Sequence, residues 1–153
     1  MYSTRLSRRV DAPRPVVYRA LLDADALARW RVPDGMTAHV HEHDPREGGY
    51  FRVSLTYGAS EEAGKSASHT DTYHGHFVRL VPDEQVVEEL EFEAADPGLR
   101  GTMTMTTTLT DADGGTDVLL VHEGVPDGVP SADNEAGMRM ALERLAALVS
   151  GPV

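Results

Sequence analysis

Residues 131–150, SADNEAGMRMALERLAALVS, are the stretch whose reading decides the fold. Met138, Ala141, Leu142, Leu145, Leu148 and Val149 recur at helical spacing and make one apolar stripe, with Ser131 or Asp133 placed to cap the start. Such a stripe must be covered. The chain before it is nearly all β, with strands expected near 37–44, 49–57, 70–81, 85–94, 101–110 and 116–124. Gly48-Gly49, Pro82-Asp83, Asp96-Pro97-Gly98 and Asp113-Gly114-Gly115 punctuate them, and the small, polar run 58–68, GASEEAGKSAS, reads as a loop. Upstream, residues 3–10 read as a short polar strand with Leu6 and Val10 on one face. Two short helices follow. The first starts at Asp11 and Pro13 and carries Val16, Val17, Ala20 and Leu21; the second runs through Ala26, Leu27 and Trp30 and stops at Val32-Pro33.

Hairpin geometry assigns the faces. With Pro82-Asp83-Glu84 as the turn, Val81 pairs with Gln85, so Val78 lies opposite Glu88 and His76 opposite Leu90. Alternation then turns His74, His76, Val78, Leu80, Val86, Glu88, Leu90 and Phe92 to one face, and Arg79, Glu89, Glu91 and Glu93 to solvent. The next hairpin turns Met103, Met105, Thr107, Leu109, Val118, Leu120 and His122 inward, and the strand after Gly49 adds Phe51, Val53, Leu55 and Tyr57. A sheet with one apolar face needs a cover, and the last helix is the one long enough to supply it. The expectation is one α+β domain over residues 1–153: a curved antiparallel sheet of about seven strands wrapped around a long C-terminal helix, with the two short helices plugging one end and Trp30 closing the core there.

Composition narrows the function. The 153 residues are 41% hydrophobic and 25% charged, which fits a globular chain and excludes collagen and coiled coil. Nothing approaches the roughly 20 apolar residues of a membrane span, and the start, MYSTRLSRRVDAPRP, has no apolar core of a signal peptide. With no cysteine, disulfides, thiolate metal sites and a cysteine nucleophile are out, and a cytoplasmic location is the default expectation. Fourteen basic against twenty-five acidic residues give a net charge of −11, which repels nucleic acid and anionic membrane surfaces. No phosphate-cradling glycine loop, GxSxG elbow or HExxH motif occurs.

The histidines are the most suggestive side chains. His39, His41 and His43 alternate along one strand, and imidazoles from neighbouring strands can close on a divalent metal. Ala38 and Val40, however, are the apolar partners in that alternation, which turns the trio toward water, so no metal is expected. His74, His76, Glu88 and His122 differ, because their face also carries Val78, Leu90, Phe92 and Met105. A carboxylate there must be paired, hydrogen-bonded or neutral. Two readings stay open: a polar cluster at a cavity mouth, or a Glu88 that reaches a solvated rim or points outward after a one-residue slip. The methionines Met36, Met103, Met105, Met138 and Met140 suit an adaptable ligand site and an irregular core alike.

Several segments, DAPRPVVYRALLDADALARW, DPREGGYFRVSL, YHGHFVRLVPDEQVVEELEF and GGTDVLLVHEGVP, together resemble the START-like (SRPBCC) superfamily of helix-grip folds, in the branch similar to activators of the 90-kDa heat-shock-protein ATPase. The family pattern falls on Ala12-Pro13, Trp30, Arg46-Glu47-Gly48-Gly49 with Phe51, Gly75 with Phe77, Val81-Pro82-Asp83-Glu84, and Gly115-Thr116 with His122-Glu123-Gly124. Two departures fall on the expected cavity lining: Glu88 and Leu90 stand where the family has aromatics, and Gly137-Met138 where it often has Gly-Trp. The resemblance implies a helix-grip fold and binding of a small hydrophobic or amphipathic molecule beneath the last helix. The residues expected to line that site are Phe51, Val53, His74, His76, Glu88, Leu90, Phe92, Met103, Met105, His122 and Met138. It also implies, as alternatives, a co-chaperone that stimulates a heat-shock ATPase, or a cofactor-free cyclase or hydrolase. For the last, the candidate proton-transfer set is Glu88 with His74 or His76, and His122 across the cavity. No cofactor is expected. The partners are a small hydrophobic molecule and, by resemblance, a chaperone; a homodimer is also allowed.

Overall fold

The structure, a computed structural model, describes residues 1–57 and 70–150; the expected loop at 58–68 lies outside the described residues. Seven strands form one antiparallel sheet: β1 (Tyr2–Val10), β2 (Met36–His43), β3 (Tyr50–Tyr57), β4 (Thr70–Val81), β5 (Gln85–Phe92), β6 (Met103–Ala112) and β7 (Gly115–Val125). Their spatial order is β1-β7-β6-β5-β4-β3-β2, so β1 and β2 are the edges. Helices α1 (Arg14–Leu22) and α2 (Ala24–Trp30) follow β1, and α3 (Ser131–Val149) closes the chain. This is the α+β helix-grip arrangement. A short 3-10 turn at Pro97–Leu99, fastened by the Asp96 side chain on the Gly98 N–H, fills the gap before β6.

The core lies between the concave sheet face and α3, with Phe77, Met103, Val118 and Leu145 fully buried. Trp30 is buried at the end closed by α1 and α2, and its indole N–H donates to the Ala20 carbonyl at 2.8 Å. Every inward position expected on β5, β6 and β7 is buried except Phe92, which is half-buried. The caps differ from expectation. Pro13 and Pro130, not Asp11, Ser131 or Asp133, precede α1 and α3, and neither helix has a side-chain cap; Asp23 caps α2 by accepting from the Ala26 N–H.

Two bulges correct the expected faces. In β4 the pairing with β5 slips between Phe77 and Arg79, leaving Val78 unpaired. From Val81 to Arg79 the register is the one the turn dictates, but beyond Val78 it is inverted: Phe77 lies opposite Glu88, and Gly75 opposite Leu90. Tyr73, Gly75 and Phe77 therefore face the core, while His74 and His76 face the convex side and Val78 is 41% exposed. Gly75 belongs to this adjustment, because a Cβ there would stand 2.0 Å from the Glu89 carbonyl oxygen. In β2 a second slip, between Val40 and Glu42, keeps His39 and His41 exposed but turns His43 inward opposite Phe51, where its Nε2 bonds the Leu22 carbonyl at 2.6 Å.

Candidate functional site

A cleft of about 870 Å³ opens between the sheet and α3. Leu90 and Phe92 of β5, Met103 and Met105 of β6, His122 of β7 and Met138 of α3 line it, six of the residues the sequence singled out. They meet because antiparallel alternation sends them to the concave face, while Met138 hangs from the stripe of α3. The other five lie elsewhere. Phe51, Val53 and Glu88 border a separate space of about 20 Å³ against α2, room for one water. His74 and His76 are on the convex face, put there by the β4 bulge. His74 is held in a cross-strand network: its Nδ1 lies 3.0 Å from Glu93 Oε2, its Nε2 lies 3.0 Å from Glu91 Oε1, and Arg52 clasps Glu93 with two bonds of 2.8 and 2.9 Å. Arg52 first, then His74, hold the Glu93 carboxyl down to about 2.

The expected proton-transfer set is therefore not assembled. Glu88 does point inward, with its side chain 7% exposed, but its partner is Arg31, whose Nη1 donates to Oε1 at 2.8 Å. No hydrogen bond joins Glu88 to His74, His76 or His122. Burial works against the Arg31 charge and the adjacent Glu88 more than offsets it, so the guanidinium is raised above its ordinary range. Arg31 also lies 5.6 Å over the Tyr73 ring, and burial raises the Tyr73 phenol. Arg31 and Tyr73 border both spaces and stand between them. At another wall Tyr57 donates to Asp71 at 3.0 Å.

His122 is another buried polar group of the cleft. It is 5% exposed, and neither ring nitrogen has a hydrogen-bond partner among the described residues. Burial first, then the charge of Arg31, hold its imidazole down to about 4, with Asn134 acting the other way. At neutral pH it is an uncharged donor-acceptor. Sequence reasoning missed Arg31, Tyr73 and Asn134. A signal for Arg31 was on the page, since an inward Glu88 demands a cation, but nothing local tied it to a residue 57 positions away.

Comparisons place the chain among known proteins. The family described as Activator of Hsp90 ATPase homolog 1-like protein matches residues 11–150. Protein CV1439 from Chromobacterium violaceum is similar at 34% identity and a TM-score of 0.88, over 99% of this chain and 100% of that one. The Mll3558 protein from Rhizobium loti is similar at 29% and 0.74, over 95% and 94%. A protein from Arthrobacter aurescens, 19% identical with a TM-score of 0.81 over 99% and 88%, shares the fold. No curated protein matches the chain.

Proposed function

The chain belongs to the family of Activator of Hsp90 ATPase homolog 1-like proteins, and from that premise we propose that it binds a small, largely apolar molecule in the cleft between the sheet and α3. The observation that carries this is the cleft itself: about 870 Å³, within the range of sites for drug-sized molecules, walled on one side by Leu90, Phe92, Met103, Met105 and Met138 and on another by polar side chains that include Arg31, Asp71 and Tyr73. Methionine walls re-pack around irregular guests. The proton-transfer set expected around Glu88 lends no support to a catalytic role, because Glu88 is committed to Arg31. Native mass spectrometry of the protein with its co-purified metabolites tests the reading, alongside titration with the neutral apolar dye Nile red. Gly137 borders the cleft, and a Cβ there meets nothing within 4 Å, so Gly137→Phe starts from open space and narrows the cleft. The dye binds the parent chain and loses at least tenfold in affinity to Gly137→Phe; equal binding to both puts the site elsewhere.

The family's name supports a second reading, stimulation of the ATPase of a 90-kDa heat-shock protein. Assaying the host chaperone with and without this chain separates the two: stimulation that survives Gly137→Phe is independent of the cleft.

A further inference from the structure

Among the described residues, His122 is a buried side chain none of whose polar atoms the fold answers. It sits on the concave face of β7 opposite Met105, buried, with both ring nitrogens bare among the described residues. A neutral imidazole carries one N–H donor and one acceptor nitrogen, and leaving such groups buried and unsatisfied is costly enough that native proteins seldom do so without a reason. The side chain of Asn134, across on α3, acts on the ring but makes no hydrogen bond of ordinary geometry with either nitrogen, and its own amide nitrogen donates to Thr4 Oγ1 at 3.0 Å and to Met138 Sδ at 3.7 Å. The ring borders the cleft, and its nitrogens, shielded in the empty protein, come within a guest's reach when the adaptable Met105 and Met138 side chains re-pack.

Charge says what kind of guest. The one cation deep in the cleft wall, Arg31, already has its countercharge in Glu88 at 2.8 Å, and Asp71 and Asp133 add negative charge to the lining. An anionic guest would gather yet another negative charge around a single guanidinium. The neutral state of His122 at physiological pH offers an anion no compensating charge.

We infer that the cleft selects an uncharged, mainly apolar molecule whose hydroxyl or carbonyl oxygen is hydrogen-bonded by His122. This rests on the cleft being a binding site. The experiment compares three probes of one shape, pyrene, 1-hydroxypyrene and 1-pyrenecarboxylate, by fluorescence titration of the full chain at pH 7. The hydroxyl compound binds about tenfold more tightly than pyrene, the worth of one hydrogen bond to an otherwise unsatisfied buried group, and the carboxylate binds weakest. In His122→Leu the hydroxyl preference disappears while pyrene affinity is kept. If that variant fails to fold, nitrogen-15 spectra of the parent's His122 ring decide the matter: 1-hydroxypyrene shifts a ring-nitrogen resonance and pyrene does not. Equal affinities for pyrene and 1-hydroxypyrene overturn the role of His122 but leave apolar binding standing. A tightest-binding carboxylate also overturns it and makes Arg31 the anchor. Failure of all three probes to bind removes this inference and the binding role together.

Discussion

Glu88 and Arg31 form the pair on which the interior turns. Their side chains are 7% and 17% exposed, so each is held in place by the other's charge more than by water. Arg31→Met leaves a buried carboxylate without its cation and costs about 3 kcal/mol in urea denaturation, whereas Arg31→Met combined with Glu88→Met recovers most of that loss. A double variant as unstable as the single one would mean that the pair is structural packing rather than charge compensation. His122 gives the second test at this scale. Its folded value near 4 lies below the ordinary 6.5, so the unfolded chain takes up the proton first. Above pH 6.5 neither state is protonated and the group adds no pH dependence. Between 6.5 and 4 stability falls as the pH drops, by roughly 3 kcal/mol over the whole window, and below 4 the slope vanishes. His122→Leu flattens that part of the profile, measured as denaturation midpoints at pH 7 and 4.5; an unchanged difference between the two pH values would refute it. The sequence made the inward placement of Glu88 and His122 readable because β5, β6 and β7 alternate without interruption. It could not disclose Arg31, because charge pairing across 57 residues is settled by how α2 docks on the sheet, not by any local pattern.

β4 shows what a single extra residue does to an element. Turn chemistry at Pro82–Glu84 fixes the hairpin register through Arg79, and the reading from sequence agrees that far. The bulge at Val78 then exchanges the two faces, sending Phe77 to the core and both histidines to the convex side. Strict alternation cannot foresee this, since a bulge is selected by the fit of Phe77 between Phe51 and His43, residues of two other strands. Gly75 and Phe77 form one motif, and its physical content is a backbone approach in which no Cβ fits. The bulge is testable by two neighbours. Phe77→Ala lowers stability by about 3–5 kcal/mol, while Val78→Thr changes it by less than about 0.5 kcal/mol. Uninterrupted alternation demands the reverse order, so denaturation of the two variants side by side discriminates between the registers.

Across the whole molecule, a seven-stranded sheet does not close its concave face fully against one 19-residue helix, and the difference is the cleft. Among the described residues no helix is long and apolar enough to cross a membrane; α3 packs against β1 and the two short helices. Architecture was legible from the order of the periodicities; the cleft's depth and polar wall were not, because they depend on how far α3 stands off β5 and β6. Occupancy of the cleft should then be visible in global stability. A guest that binds only the folded chain, present at a hundred times its dissociation constant, adds about 2.7 kcal/mol. For a chain of this size each kcal/mol raises the melting temperature by about 2–4 °C, so saturation with 1-hydroxypyrene raises it by about 5–10 °C. Gly137→Phe separates this from nonspecific adsorption. Replacing a helical glycine lifts its entropic penalty, at most about 1 kcal/mol, and a Cβ here has open space, so the variant's own ligand-free melting temperature is the reference for its shift. Its ring narrows the cleft, and the ligand-induced rise in melting temperature shrinks. A variant that still gains the full shift would show that the guest is held outside the space between α3 and the sheet.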